Sequence, residues 1–221
     1  MVKIGFNKKG IKLYNADCFD VFAKIKDKSI DLFVLDLPFG VTACAWDTCI
    51  DLSKMWIEIK RIMKPSAIIC FFCTTKFGYT LIKSNDKWFK YDLIYKKGNK
   101  SVGFLHCYKR ELRNHENIYV FKDKQGTYNP QKLEGKEYNK YRPTQNITTI
   151  DGAYGKIFKA NTEQIVNDRF PTSIITDTIL NFKPPHKPIH STQKPIGLLE
   201  YLIKTYSNEG DTVMDFCAGS L

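Results

Sequence analysis

The chain reads as an α/β protein with a doubly wound, mostly parallel sheet. Residues 30–35 and 67–73 are short apolar runs of the kind that fills a strand covered on both faces. Between them, residues 52–63 carry apolar side chains at helical spacing, and Pro65 follows the end of that pattern. Strand, helix, strand in this rhythm implies a crossover, and crossovers join parallel strands.

The remaining elements follow in order. Residues 11–14 alternate and predict a strand ended by Asn15, Ala16 and Asp17. Residues 18–25 predict a helix, and Asp27-Lys28-Ser29 a turn. A short helix is expected over 77–84, and strands over 91–95 and 116–121, the second entered from the turn Arg113-Asn114-His115. From Lys122 to Pro188 the periodicity fades in a stretch rich in Asn, Thr, Gly, Pro, Lys and Tyr. Irregular segments of that length are functional insertions or mobile regions. A helix returns over 195–206, with Pro195 suited to its first turn. A strand over 212–217 runs into the small-residue loop Ala218-Gly219-Ser220.

Bulk properties bound the function. The 221 residues suffice for one domain with a buried core and an inserted lobe. No apolar run approaches the ~20 residues that span a bilayer. The N-terminus lacks the apolar core of a signal peptide, so a cytoplasmic protein is expected. Seven cysteines form no framework. Cys70 and Cys73 share a strand and must point to opposite faces, which favours buried, reduced thiols over a metal site. The net charge of +11 suits a solvated lysine-rich surface or a polyanionic partner. Cations and tyrosines interleave from Lys87 to Arg142, the pairing that a nucleic-acid groove uses for phosphates and bases.

Three short constellations carry chemistry. Asp36-Leu37-Pro38-Phe39-Gly40 follows the strand over 30–35, and ligands of doubly wound sheets sit at the carboxyl ends of strands. There a carboxylate and the Leu37 carbonyl can accept hydrogen bonds from an exocyclic amine, while Phe39 offers a face to a base swung out of its helix. Asp-Leu-Pro-Phe-Gly is equally a plain turn after a strand. Asp215-Phe216-Cys217-Ala218-Gly219-Ser220 leads a strand into a loop that a ligand can approach closely, as many α/β turns do. His190-Ser191-Thr192-Gln193-Lys194-Pro195 opens the last helix, with Thr192 as a candidate cap.

In this order the three motifs resemble the β-class amino-methyltransferases of DNA, most nearly phage and bacterial adenine-specific enzymes with an Asp-Leu-Pro-Tyr-Gly motif. The likeness extends to Thr42, Trp46-Asp47, Arg113-Asn114-His115-Glu116, Tyr128-Asn129-Pro130-Gln131 and the segment 200–206. It implies a sheet of the S-adenosylmethionine-dependent methyltransferase type. It also implies methyl transfer from that cofactor to N6 of adenine in double-stranded DNA, as in restriction-modification systems. By the resemblance Asp36, Leu37, Pro38 and Phe39 grip the target adenine. Asp17 with its neighbour Cys18, the helix opening Thr192-Gln193-Lys194-Pro195, and Asp215, Phe216, Ala218 and Gly219 bind the cofactor. Residues 122–188 stand where the family carries its target-recognition region. No metal is implied. Phe39 replaces the usual tyrosine and keeps the stacking face.

The resemblance also sets an expectation of incompleteness. The family continues Gly-Ser-Gly-Thr, then a helix and a strand ending in an acidic ribose ligand, whereas here Leu221 follows Ser220. That strand would lie between those over 11–14 and 212–217, so a gap with two unpaired edges is expected. A homodimer partner or a separately encoded C-terminal fragment would complete the site. The alternative is a catalytically inactive remnant that still binds DNA. Cytosine-N4 methylation uses similar architecture, but its enzymes usually carry serine at the position of Asp36.

Overall fold

The computed structural model describes residues 3–8, 10–40, 49–98, 101–142, 149–152, 155–158, 162–176 and 193–219. Thr42, Trp46, Asp47, His190, Ser191, Thr192, Ser220 and Leu221 lie outside them. The chain divides into two compact units, one of residues 1–129 with 173–221 and one of residues 130–172.

The first unit opens with an antiparallel hairpin of β1 (Lys3–Lys8) and β2 (Ile11–Asn15). Then come α1 (Cys18–Phe22), β3 (Ile30–Leu35), α2 (Leu52–Ile62), β4 (Met63–Cys73), α3 (Thr75–Ser84), β5 (Phe89–Lys96) and β6 (His115–Lys122). The second unit holds two antiparallel pairs: β7 (Leu133–Arg142) with β10 (Thr162–Arg169), and β8 (Thr149–Gly152) with β9 (Gly155–Phe158). The first unit resumes with β11 (Ile174–Thr176), α4 (Ile196–Tyr206) and β12 (Val213–Met214).

Six strands form the central sheet in the order β11-β5-β6-β4-β3-β12. Five run the same way. β6 opposes both of its neighbours, because the segment from β5 into it contains a short 3-10 turn and no crossover helix. The sheet is covered on both faces. Phe33, Leu35, Ile69, Phe71, Cys73 and Phe121 pack in one cluster with side chains of α1, α2 and α3. Leu32, Val34, Ile68, Cys70, Phe72 and Ile118 pack in the other with Leu198, Leu202 and Tyr206 of α4. Cys70 and Cys73 therefore do face opposite ways, and burial pushes both thiols up.

The helices start and stop for local reasons. Asp51 caps α2 by accepting from the Lys54 amide at 3.1 Å, and Met55, Trp56, Ile59 and Ile62 make its buried stripe. Arg61 then donates to the Phe22 carbonyl at 2.7 Å and the Ile25 carbonyl at 2.9 Å, tying α2 to the residues that end α1. Thr74 caps α3, and the indole of Trp56 donates to Ser84 at 2.8 Å, joining α2 to α3.

Several expectations need correction. The helix expected over 18–25 ends at Phe22, where amides of Lys24 and Ile25 fold back onto Val21 and Phe22 carbonyls three residues away. β4 begins at Met63, so Pro65 lies inside it. The register with β3 shifts there, between Ile30↔Met63 and Leu32↔Ile68, at the kind of irregularity where a residue without an N–H is tolerated. The strand expected over 212–217 shrinks to Val213–Met214. Pro195 occupies the N-cap position of α4 without a side-chain cap, which displaces Thr192 from that role. β2 pairs with β1 rather than joining the central sheet among the described residues, in keeping with side chains that are exposed or half-buried throughout. The stretch read as irregular from Lys122 to Pro188 contains β7 to β11, of which β11 extends the central sheet beside β5. Among the described residues, no helix is long and apolar enough to cross a membrane.

Candidate active site

The carboxyl edge of the sheet gathers the chemistry. β3 delivers Asp36 one residue past its end, and β4 delivers Phe72, Cys73 and then Thr74. Because β6 runs against β4, with Cys73 opposite Asn117, the start of β6 brings His115 and Glu116 to the same edge. Lys194 enters from the segment that leads into α4. These side chains line one pocket together with Phe39.

Within it, charges alternate. The Lys194 ammonium donates to Asp36 at 2.5 Å, lies 3.7 Å from Glu116, and stands over the Phe72 ring at 5.0 Å from its centroid. Lys97 holds the far side of Glu116 at 2.5 Å. Burial pushes the Asp36 carboxyl up, and Lys194 opposes the rise without cancelling it. Glu116 faces the same burial. Lys194, Lys97 and Arg113 outweigh it there and hold that carboxyl below its ordinary range. Leu37 is buried, Pro38 is half-buried, and the half-buried Phe39 ring leans on Phe77 at 5.0 Å between centroids and 42° between planes.

A second group lies around the end of β12. Asp31 binds Lys64 at 2.7 Å and accepts from the Thr212 amide at 3.0 Å, which fastens the entry to β12. Just past the strand, Asp215 accepts from the Cys217 amide at 2.8 Å. Phe216 packs edge-on against Phe22 at 5.0 Å, Ala218 is half-buried, and Gly219 adopts a positive φ of 66°. Asp17 caps α1 by accepting from the Phe19 amide at 2.8 Å, and Cys18 follows it. The Cys217 thiol is raised by burial first and then by Asp215, Cys18, Asp36 and Asp17, so residues from both ends of the chain share one electrostatic neighbourhood. Burial, with Asp36 adding to it, pushes the Asp215 carboxyl up to about 6.

Of the residues singled out in the sequence, Asp36, Leu37, Pro38, Phe39, Lys194, Asp17, Cys18, Asp215, Phe216, Ala218 and Gly219 thus fall into two adjoining groups. Gln193 is exposed beside Lys194, and Pro195 starts α4. Sequence reasoning missed Lys97 and Phe72, and it did not foresee that Lys194 donates to Asp36. No local signal marks these pairings, since Asp36 and Lys194 stand 158 residues apart.

The arrangement has relatives. The chain belongs to the N6_N4_Mtase family, described as DNA methylase, whose profile matches residues 30–220. It is similar to the type II methyltransferase M.BamHI of Bacillus amyloliquefaciens, 24% identical over 95% of this chain and 50% of that protein. It is also similar to the type II methyltransferase M1.MboII of Moraxella bovis, 24% identical over 95% of this chain and 84% of that protein. The chain therefore spans half the length of the first relative and most of the second. Its fold matches the cytosine-N4-specific PvuII DNA methyltransferase with a TM-score of 0.53 at 11% identity, covering 92% of this chain and 73% of that one. The fold is that of S-adenosylmethionine-dependent methyltransferases, and the family uses that cofactor. The residues present fit such a group. A cation meets the acidic neighbourhood of Asp17, Asp36 and Asp215, and the backbone opens at Gly219 without a side chain.

Proposed function

We propose that this chain methylates N6 of adenine in double-stranded DNA. The observation that carries the reading is a half-buried carboxylate, Asp36, at the carboxyl end of β3 and in one pocket with the half-buried ring of Phe39. When bound, S-adenosylmethionine supplies a methyl group on a sulfonium. Asp17, Cys18, Gln193, Lys194, Pro195, Asp215, Phe216, Ala218 and Gly219 would hold it, along with Thr192. Phe39 stacks on the extruded base, and Asp36 accepts a hydrogen bond from its exocyclic amine. As the new nitrogen–carbon bond forms, the amine must lose a proton. A carboxylate whose burial raises its proton affinity is placed to take it. Alignment is the main requirement, because the methyl donor is already activated. The unit of residues 130–172, within the stretch 122–188, is the proposed target-recognition region.

The test is transfer of labelled methyl groups to unmethylated DNA, followed by digestion to nucleosides. Wild type should yield N6-methyladenine. Asp36→Ala should yield none while still binding DNA, since affinity comes mostly from phosphates. N4-methylcytosine as the product, or full activity of the alanine variant, would sink the reading.

A further inference from the structure

The connection from β5 to β6 ends in a knob that the reaction chemistry does not use. Its neck is closed by two hydrogen bonds, Val102 amide to Arg113 carbonyl at 2.8 Å and Arg113 amide to Val102 carbonyl at 3.1 Å. Gly103, at a φ of 90°, turns the chain into the 3-10 turn Phe104–His106. The Lys109 and Arg110 amides then close back on the His106 carbonyl at 2.8 and 3.0 Å. The tip is therefore ordered by its own backbone, yet its large side chains face water: Phe104 is 76% exposed, Leu105 96%, and Tyr108 fully. Clustered apolar side chains held out this way mark an interaction surface.

Charge and position select the occupant. His106, Lys109 and Arg110 stand exposed among these apolar groups, with Glu111 the one acid between Val102 and Arg113. Val102 and Arg113, at the neck, line the same pocket as Asp36 and Phe39. Leu105 is three residues from Val102, a backbone reach of at most about 10 Å. Extruding a base leaves a vacant place in the stack, and apolar side chains are what fills such gaps. We infer that the knob is a DNA wedge, in which Lys109 and Arg110 seat on phosphates while Leu105 and Tyr108 enter the base stack beside the extruded nucleotide. This rests on the reading of the pocket as a site for a flipped base.

The experiment compares wild type, L105A/Y108A, L105M/Y108F and K109A/R110A on fragments of unmethylated DNA, with thermal unfolding of each as a check on folding. K109A/R110A should flatten the slope of log affinity against log salt by about two, one unit per lost phosphate contact. L105A/Y108A should keep the slope, lose about tenfold in affinity, and lose more than that in single-turnover methyl transfer. L105M/Y108F should recover both. Wild-type binding and transfer by L105A/Y108A would overturn the wedge. So would self-association that this variant abolishes while DNA binding stays intact, since a second copy would then cover the knob. A wild type that binds DNA through the knob but transfers no methyl group defeats the proposed activity alone. One that methylates equally well with every knob variant defeats the wedge alone, and one that does not bind DNA defeats both.

Discussion

Lys194 has two carboxylates to serve and sits closer to one of them. At 2.5 Å from Asp36 it opposes the rise that burial imposes on that carboxyl, and Glu116, itself held by Lys97, keeps the ammonium at the pocket. Only the ionised form of Asp36 can take the proton that the amine loses. Lys194→Met leaves the half-buried carboxyl without its nearest cation, so Asp36 should stay protonated to higher pH. The acid limb of the single-turnover rate should move upward in pH, with activity at neutral pH reduced and partly regained in alkali. Lys194→Arg should keep the limb near that of wild type. A pH–rate profile that Lys194→Met leaves in place would remove Lys194 from this role.

α4 is held at its far end by a residue outside it. The Asn129 amide donates to the Thr205 carbonyl at 2.7 Å, and its side-chain nitrogen reaches the Ser207 carbonyl at 2.9 Å and the Lys204 carbonyl at 3.3 Å. Three of the carbonyls that a helix end leaves open are thereby met. Asn129→Ala keeps the backbone bond and loses the others, at about 1–2 kcal/mol, a drop of a few degrees in Tm for a chain of this size. An unchanged Tm would show that water replaces the side chain without loss. The sequence drew attention to Asn129 by resemblance but could not say what it does. Elements buried on one stripe or two faces, such as α2, β3 and β4, are legible because their apolar pattern repeats. β7, with Glu134-Gly135-Lys136-Glu137 at its start, carries no such repeat, and neither do the pairings of Lys97 with Glu116 or of Lys194 with Phe72. Those contacts come from strand order and register, which act over long sequence separations. Asp36 and Phe39 could be found because a turn after a strand puts them at the sheet edge in one short motif.

The whole chain carries a net charge of +11, yet Asp17, Asp36 and Asp215 share one neighbourhood within it. On the proposed reading, the basic exterior and this acidic neighbourhood serve different ligands, a polyanion and a sulfonium cation. Raising salt should therefore weaken DNA binding steeply and cofactor binding little. Lowering pH separates them the other way. Asp215 titrates at about 6 in the fold and at its ordinary 3.8 once unfolded. Between those values the folded chain binds a proton that the unfolded chain does not, so this group adds stability as pH falls through about 6 and withdraws it as pH rises. The same proton removes a negative charge that a sulfonium needs. As pH falls through about 6, the unliganded protein should gain Tm from this group, while the further gain produced by S-adenosylmethionine shrinks. Asp215→Asn should lose both trends, with weak cofactor binding at every pH and a flatter dependence of Tm. Thermal unfolding across this range, with and without the cofactor, measures both at once. A cofactor-induced gain in Tm that survives acidification unchanged would place the sulfonium away from Asp215.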